Sequence, residues 1–253
     1  MKNLHLNYKL CYLISLLLLC VLTPLVAQKK TMAISQELKA NSEMFRAKRT
    51  SLMSLGMYKF GPYETIEGKS GWGTTNSTYN GFSGEYQSTS ERKKSFIMTA
   101  NKVDTVYAKI LHTQNISTLE RNDYFLGIAI ETDNDQVLEA ASAYAVTFTT
   151  TIDTAKWHLI IIEPARPDSP TRFSAVLTDG ARKIVLKEVV QWEDGTSGMF
   201  PFKGYELFMD GRSVAAVQMP KGTNWAVWLH NELDEELRVI LAAGALALMT
   251  QYY

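Results

Sequence analysis

The sequence predicts a mainly β fold: an antiparallel, closed or nearly closed barrel of about ten to twelve strands around a buried hydrophobic C-terminal α-helix. Three observations predict it. Short runs rich in Val, Ile, Thr, Phe, Tyr and Trp recur along most of the chain. Asp179-Gly180, Asp194-Gly195 and Asp210-Gly211 punctuate these runs 15 and 16 residues apart, and Asp-Gly readily supplies the positive φ values of tight hairpins. The final stretch, NELDEELRVILAAGALALMTQYY, reads as a helix with no polar stripe at a period of 3.6, so protein or lipid must enclose it on every side.

Residues 1–27 read as a secretory signal peptide: Lys2 and Lys9 precede an apolar core containing Leu16-Leu17-Leu18-Leu19, and Leu25-Val26-Ala27 ends it with a tolerable cleavage site. An uncleaved anchor is the alternative, because the apolar stretch approaches spanning length. Export implies a secreted, periplasmic or cell-envelope location. Cleavage removes two lysines of the 26 basic residues and none of the 26 acids, leaving 24 against 26, a formal charge of −2. Near neutrality predicts no nucleic-acid partner. Cys11 and Cys20 both lie in the leader, so disulfides, thiolate nucleophiles and cysteine metal sites are not expected in the rest.

Residues 28–55 form a basic, loosely amphipathic stretch. Lys29, Lys30, Lys39, Arg46, Lys48 and Arg49 outnumber Glu37 and Glu43, and Ile34, Leu38, Phe45, Leu52 and Leu55 recur at helical spacings. The expectation is a helix or part-helical linker that serves as a solvated lead-in, with attachment of its basic side to a membrane face or a partner as the alternative. Residues 56–253 are expected to form one domain. It opens on the aromatic segment of Tyr58, Phe60, Tyr63 and Trp72, followed at 71–90 by a polar loop, GWGTTNSTYNGFSGEYQSTS, with a turn at Asn80-Gly81. Strand-like runs follow at 95–99, 105–112, 124–131, 143–151, 157–163, 173–178, 183–192, 205–209, 213–219 and 225–230. PARPDSP, at 164–170, reads as a rigid polar connection.

The terminal helix is expected to begin near Asn231, with Glu232, Asp234, Glu235 and Glu236 suiting the positive end of its dipole. Its uninterrupted apolar run, Val239 to Met249, is 11 residues, against the roughly 20 that a membrane span requires. A core helix follows from that shortfall, with a membrane-inserting tail as the alternative.

The late hairpin YELFMDGRSVAAV, one further strand, an acidic helix start and a wholly apolar C-terminal helix resemble the tubby-like barrel superfamily, which includes the tubby C-terminal domain, LURP-one-related proteins and phospholipid scramblases. The resemblance covers the order of elements from about Met57 onward. It implies a barrel threaded by its last helix. Tubby domains bind phosphoinositide headgroups through basic residues, and no matching residues stand in this sequence, so the resemblance addresses fold and not activity.

No catalytic, cofactor-binding or metal site is predicted. His112, His158 and His230 share no short metal-type spacing, and no G-x-S-x-G, P-loop or H-E-x-x-H is present. Gly81-Phe82-Ser83-Gly84 lacks the second glycine a nucleophile elbow needs at Ser83. Glu131, Asp133 and Asp135 alternate as Ca²⁺ ligands can, but without the glycine and distal glutamate of an EF-hand they read as a polar turn. Asn76-Ser77-Thr78 and Asn115-Ile116-Ser117 fit the N-glycosylation pattern.

The expected function is therefore that of an exported, non-enzymatic binding or envelope-associated accessory protein, with a protein, carbohydrate or lipid ligand on rim loops at 71–90 or 164–170. One alternative is a secreted glycan hydrolase using Glu64 and Glu67, or the Glu131 to Asp135 carboxylates, beside Trp72 or Tyr79; it requires two carboxyl groups facing each other across a groove. The other is a lipid-handling or membrane-associated protein.

Overall fold

The structure is a computed structural model that describes residues 30–51, 57–80, 85–119, 123–125, 128–130, 136–164, 173–196, 203–220 and 224–251. In chain order its elements are α1 (Gln36–Asn41), β1 (Ser42–Arg49), β2 (Tyr58–Phe60), β3 (Tyr63–Asn80), β4 (Glu85–Ala100), β5 (Asp104–Leu119), β6 (Asp123–Phe125), β7 (Ile128–Ile130), β8 (Gln136–Thr150), β9 (Trp157–Pro164), β10 (Ser174–Thr178), β11 (Lys183–Val189), β12 (Lys203–Met209), β13 (Arg212–Met219), β14 (Trp225–His230) and α2 (Glu235–Thr250). Twelve strands close into an antiparallel barrel in the order β1-β14-β13-β12-β11-β10-β9-β8-β5-β4-β3-β2, and β2 returns to β1 through Lys48↔Lys59 and Arg49↔Tyr58. β6 and β7 pair apart from it.

Strand alternation decides what faces inward. In β9, Trp157, Leu159 and Ile161 are buried while His158, Ile160 and Ile162 are not, the period-2 pattern of a sheet with one core face. A barrel of twelve strands encloses more space than its own side chains can fill. α2 fills it: every residue from Val239 to Thr250 is buried, in one cluster with Phe96, Met98, Val146, Phe148, Leu177 and Val227. The sheet wraps all sides of the helix, which is why a sequence without a polar stripe is stable there. The helix begins three residues later than its acidic run suggests. Asp234 is the N-cap, accepting from Leu237 N at 2.7 Å, while Asn231 directly follows the end of β14, its N donating to Asn41 O at 2.8 Å. At the other end Tyr144 OH donates to Ala247 O at 2.6 Å and Lys94 Nζ to Thr250 O at 3.0 Å, so carbonyls of the last turn have partners supplied by the wall.

The basic stretch departs from its expectation. Among its described residues 36–41 is helical, and 42–49 is the strand β1, paired with β14 from Ser42↔His230 to Ala47↔Trp225. Phe45 and Ala47 pack on the core, and this packing together with the pairing to β14 outweighed the helical spacing. Residues 30–41 run outside the barrel across β12 to β14. Met32 N donates to Gln218 Oε1 at 2.7 Å and Ser35 N to Glu206 Oε1 at 3.0 Å, and Met32 and Leu38 are buried with Ala216, Ala226 and Trp228. This strap explains why β14 is buried at every position: the helix covers one face and the strap the other. Lys30 and Lys39 pair with Asp194 and Glu193.

The hairpin chemistry holds where it is described. Asp210 and Gly211 both have positive φ, 51° and 81°, in the two-residue turn that joins Met209 to Arg212, the combination a type I′ hairpin requires. Gly180 and Gly195 also have positive φ. The expected polar loop at 71–90 is instead strand on both sides: Gly73 to Asn80 of β3 pair with Arg92 to Glu85 of β4. Extended Ser, Thr and Tyr suit a sheet even where nothing is buried, because the ladder satisfies their backbone. Gly81 and Ser83 lie outside the described residues, as do 1–27, 52–56, 165–170 and Glu131, Asp133 and Asp135.

Candidate functional site

Four strands outrun the rest. β3, β4, β5 and β8 are 18, 16, 16 and 15 residues long, while the other barrel strands are three to eight. Lys94 marks the level at which α2 stops. Beyond it β4 continues for nine residues to Glu85, about 30 Å at the rise of an antiparallel strand. The four strands thus form a blade projecting past the end of the plugged barrel.

The inner face of the blade continues the barrel interior, and its chemistry changes at the end of the helix. In β4, Phe96 and Met98 are core residues; Lys94, Arg92, Ser90, Ser88 and Tyr86 follow in the same phase. Their cross-strand partners in β3 are Ser70, Gly73, Thr75, Ser77 and Tyr79, and in β5 His112 lies opposite Arg92 and Gln114 opposite Ser90. Apolar core gives way to hydroxyl, amide and cationic groups, with Tyr79 and Tyr86 side by side near the tip.

At the base of this face the groups are interlocked. His112 Nε2 lies 2.8 Å from Ser142 Oγ, and its ring meets Tyr144 edge-on at 6.1 Å. Burial, then the charges of Lys94 and Arg92, push the His112 imidazole below its usual range, with Glu163 opposing. Burial and Arg92 likewise lower the Lys94 ammonium. Across the mouth, Glu163 Oε1 accepts from Lys203 Nζ at 2.5 Å, Gln251 Nε2 at 3.2 Å and Tyr205 OH at 3.4 Å, and Lys203 also pairs with Glu188 at 3.0 Å. Burial and the nearby Glu163 and Glu188 carboxylates raise the Tyr205 phenol well above its usual range. Lys203 bridges the two carboxylates, and Arg92 and Lys94 add positive charge on the facing strand.

Trp72 marks the outer face. β3 bulges between Ser70 and Gly73, so that Gly71 and Trp72 together oppose Lys93. A Cβ on Gly71 would sit 2.9 Å from Lys93 O, which requires glycine there. Trp72 is 96% exposed. At the opposite end of the barrel a depression of about 460 Å³ surrounds the start of α2, lined by Glu43, Phe45, Tyr63, Asn101, Glu235 and Arg238. There Arg238 Nη2 donates to Glu43 Oε2 at 3.0 Å.

The residues considered from sequence are dispersed by the fold. Glu64 pairs with Lys59 at 2.8 Å and Glu67 with Lys69 at 2.5 Å, both near the surface. His158 Nδ1 meets Thr147 Oγ1 at 3.2 Å on the barrel exterior. His230 is buried, its Nδ1 accepting from Glu232 N at 3.2 Å. Asn76 and Asn115 both lie within strands, in register with Thr89 between them. Among the described residues no three His, Cys, Asp or Glu gather as metal ligands, and no helix is long and apolar enough to cross a membrane. Arg92, Lys94, Glu163 and Lys203 were not singled out from sequence. Their signal is phase: charged residues at positions that continue the core alternation of Phe96, Ile161 and Tyr205. No known protein family, curated protein or solved structure matches this chain, so the geometry above is what bears on its function.

Proposed function

We propose that this chain is an exported, non-catalytic binding protein whose ligand lies along the inner face of the blade, with carbohydrate as the favoured class. One observation carries the reading: the sheet continues past the end of its plug helix with hydroxyl, amide and cationic side chains where core residues stood. Among the described residues this part of the sheet adds nothing to the apolar core, so ordering it has an entropic cost without that return, and its shape calls for an explanation other than stability. Alternating Ser, Thr and Gln suits sugar hydroxyls, Tyr79 beside Tyr86 offers rings on which a pyranose can rest, and Arg92 with Lys94 favours neutral or acidic sugars over basic ones. The leader supports export to the envelope or beyond. The closed barrel around an apolar last helix is the architecture the tubby-like resemblance implies, and it assigns neither an ancestry nor a ligand.

Two observations weigh on the alternatives. Glu64 and Glu67 are each held by a lysine, which favours binding over hydrolysis. The exposure of Trp72 favours a membrane-contact reading as the second choice, since amphipathic rings settle at lipid interfaces.

The test is binding of the exported chain to immobilised neutral and acidic polysaccharides and, in parallel, to anionic phospholipid vesicles, beside an Arg92→Ala/Tyr79→Ser variant. Glycan binding weakened at least about tenfold in the variant, with unchanged thermal unfolding, is expected. Vesicle binding alone would transfer the function to lipid. New reducing ends released over time would establish hydrolysis, and binding to neither surface would remove the proposal.

A further inference from the structure

We propose that the outer edge of β3 pairs with the same edge of a second copy of this chain, antiparallel, over residues 72–80 about a two-fold axis at Asn76. β3 is covered by β2 only at Lys59↔Glu64 and Phe60↔Tyr63. Among the described residues no strand pairs with that edge from Ile66 to Tyr79. A sheet edge of this length exposes a row of backbone donors and acceptors, and proteins ordinarily protect such rows with charge, proline or brevity. From Ser70 to Asn80 the strand reads SGWGTTNSTYN, with no charged residue and no proline. The charges stop at Glu67 and Lys69, where the strand leaves the barrel wall.

The second copy is favoured over another partner because the stretch is self-complementary. A two-fold axis perpendicular to the sheet keeps each pleat face on its own side, so paired residue numbers must share parity and add to an even number. Centring on Asn76 then pairs Thr75 with Ser77, Thr74 with Thr78, Gly73 with Tyr79 and Trp72 with Asn80. Thr–Ser and Thr–Thr are favourable cross-strand pairs. Each copy's Tyr79 would cover the other's Gly73, the arrangement in which an aromatic ring shields a strand glycine. Trp72, which its own chain leaves bare, gains Asn80 and Thr78 of the second copy as neighbours. No like charges meet. Because the strands run antiparallel, the barrels lie toward opposite ends of the shared edge. Gly73, Thr75, Ser77 and Tyr79 also stand on the inner face proposed for the ligand, whereas Asn76 points to the outer face, so a cross-link at Asn76 reports on the pairing and a loss of glycan binding reports on the ligand reading.

Sedimentation equilibrium of the exported chain, followed with Trp fluorescence across a dilution series, tests this. The expected result is a dimer that dissociates on dilution with a red shift of emission, as Trp72 returns to water. Thr75→Lys/Ser77→Lys places lysines opposite lysines only in the dimer, and should raise the dissociation constant at least about tenfold. Thr75→Glu/Ser77→Glu should do the same, and an equimolar mixture of the two variants should restore association. In a chain whose Cys11 and Cys20 are replaced by Ser, Asn76→Cys should form an intermolecular disulfide on mild oxidation while Thr74→Cys should not. A monomer up to about 100 µM overturns the proposal. So does a dimer indifferent to both charge variants, or one cross-linked equally by Thr74→Cys.

Discussion

Gly244 lies midway along α2, at the centre of the plugged barrel, and replacing it by alanine tests whether the helix sits in its socket as described. A Cβ built there meets only Leu177 Cδ2, at 3.6 Å, an ordinary van der Waals separation, so the methyl group fits without displacing the wall. Glycine in a helix interior is about 0.8–1.0 kcal/mol less favourable than alanine, and a buried methyl adds up to about 0.8 kcal/mol where space exists. Gly244→Ala should therefore stabilise the protein by about 1 to 2 kcal/mol. For a domain of this size that raises the unfolding midpoint by roughly 2 to 6 °C. Calorimetry, with chemical denaturation as a second measure, reads the effect, and an unchanged dependence on denaturant would place it in the folded state. A loss of 1 kcal/mol or more would refute the reasoning, because it would require the wall to stand closer to the helix than 3.6 Å. Were the helix instead exposed, the gain would be limited to propensity and would be matched at any solvent-facing position of the same helix.

Gly204→Ala should have the opposite sign: its Cβ would strike Met32 Sδ and stand 3.0 Å from Val217 O, displacing the strap at a cost of about 1–3 kcal/mol, visible as faster limited proteolysis before residue 42. Tyr144→Phe removes the donor to Ala247 O and leaves a buried carbonyl of the last helical turn with one partner fewer, so a loss of about 1–2 kcal/mol in denaturant unfolding is expected. His112 is held below its usual range, so the unfolded chain takes up its proton first. Its contribution to stability is complete above about pH 6.5 and is lost as pH falls toward the folded value. His112→Gln should flatten that part of the pH–stability profile measured between pH 7 and 5, and an unchanged slope would show that the imidazole is not the group responsible.

The architecture was legible in the sequence where one periodicity had one cause. The apolar 239–249 run could be placed in a core because it was too short for a bilayer and had no polar stripe, and the Asp-Gly pairs announced hairpins because positive φ is demanded there. The lead-in was misread because Ile34, Leu38 and Phe45 satisfy a helical spacing by accident. They belong to two environments, the first two in the strap against the barrel exterior and Phe45 against the core. No local pattern shows that a chain crosses from one face of a barrel to its wall. The candidate site was hidden for a related reason. Residues 71–90 are polar and glycine-rich, which describes a loop in most contexts, and only pairing with β5 and β8, remote in sequence, extends them into a blade. Arg92 and Lys94 look like ordinary surface charges until their phase with Phe96 and Met98 puts them on the inner face.

That phase relation also separates stability from function within one sheet. Below Lys94 every inward residue of β4 touches the helix cluster and is accounted for by burial. Above it the same strand keeps its register with β3 and β5 for nine more residues, and among the described residues its inward side chains are not part of the core cluster. Backbone pairing alone contributes only about 0.5–1.5 kcal/mol net per hydrogen bond, against roughly 1–2 kcal/mol to order each residue. The blade is therefore near the margin on its own, and is held straight chiefly by growing out of a rigid wall. A marginal, polar, two-faced sheet rooted in a stable barrel has properties that a recognition surface can use. Substitutions on it should leave unfolding almost unchanged, and whatever binds its face or its edge gains from strands already ordered by the barrel beneath.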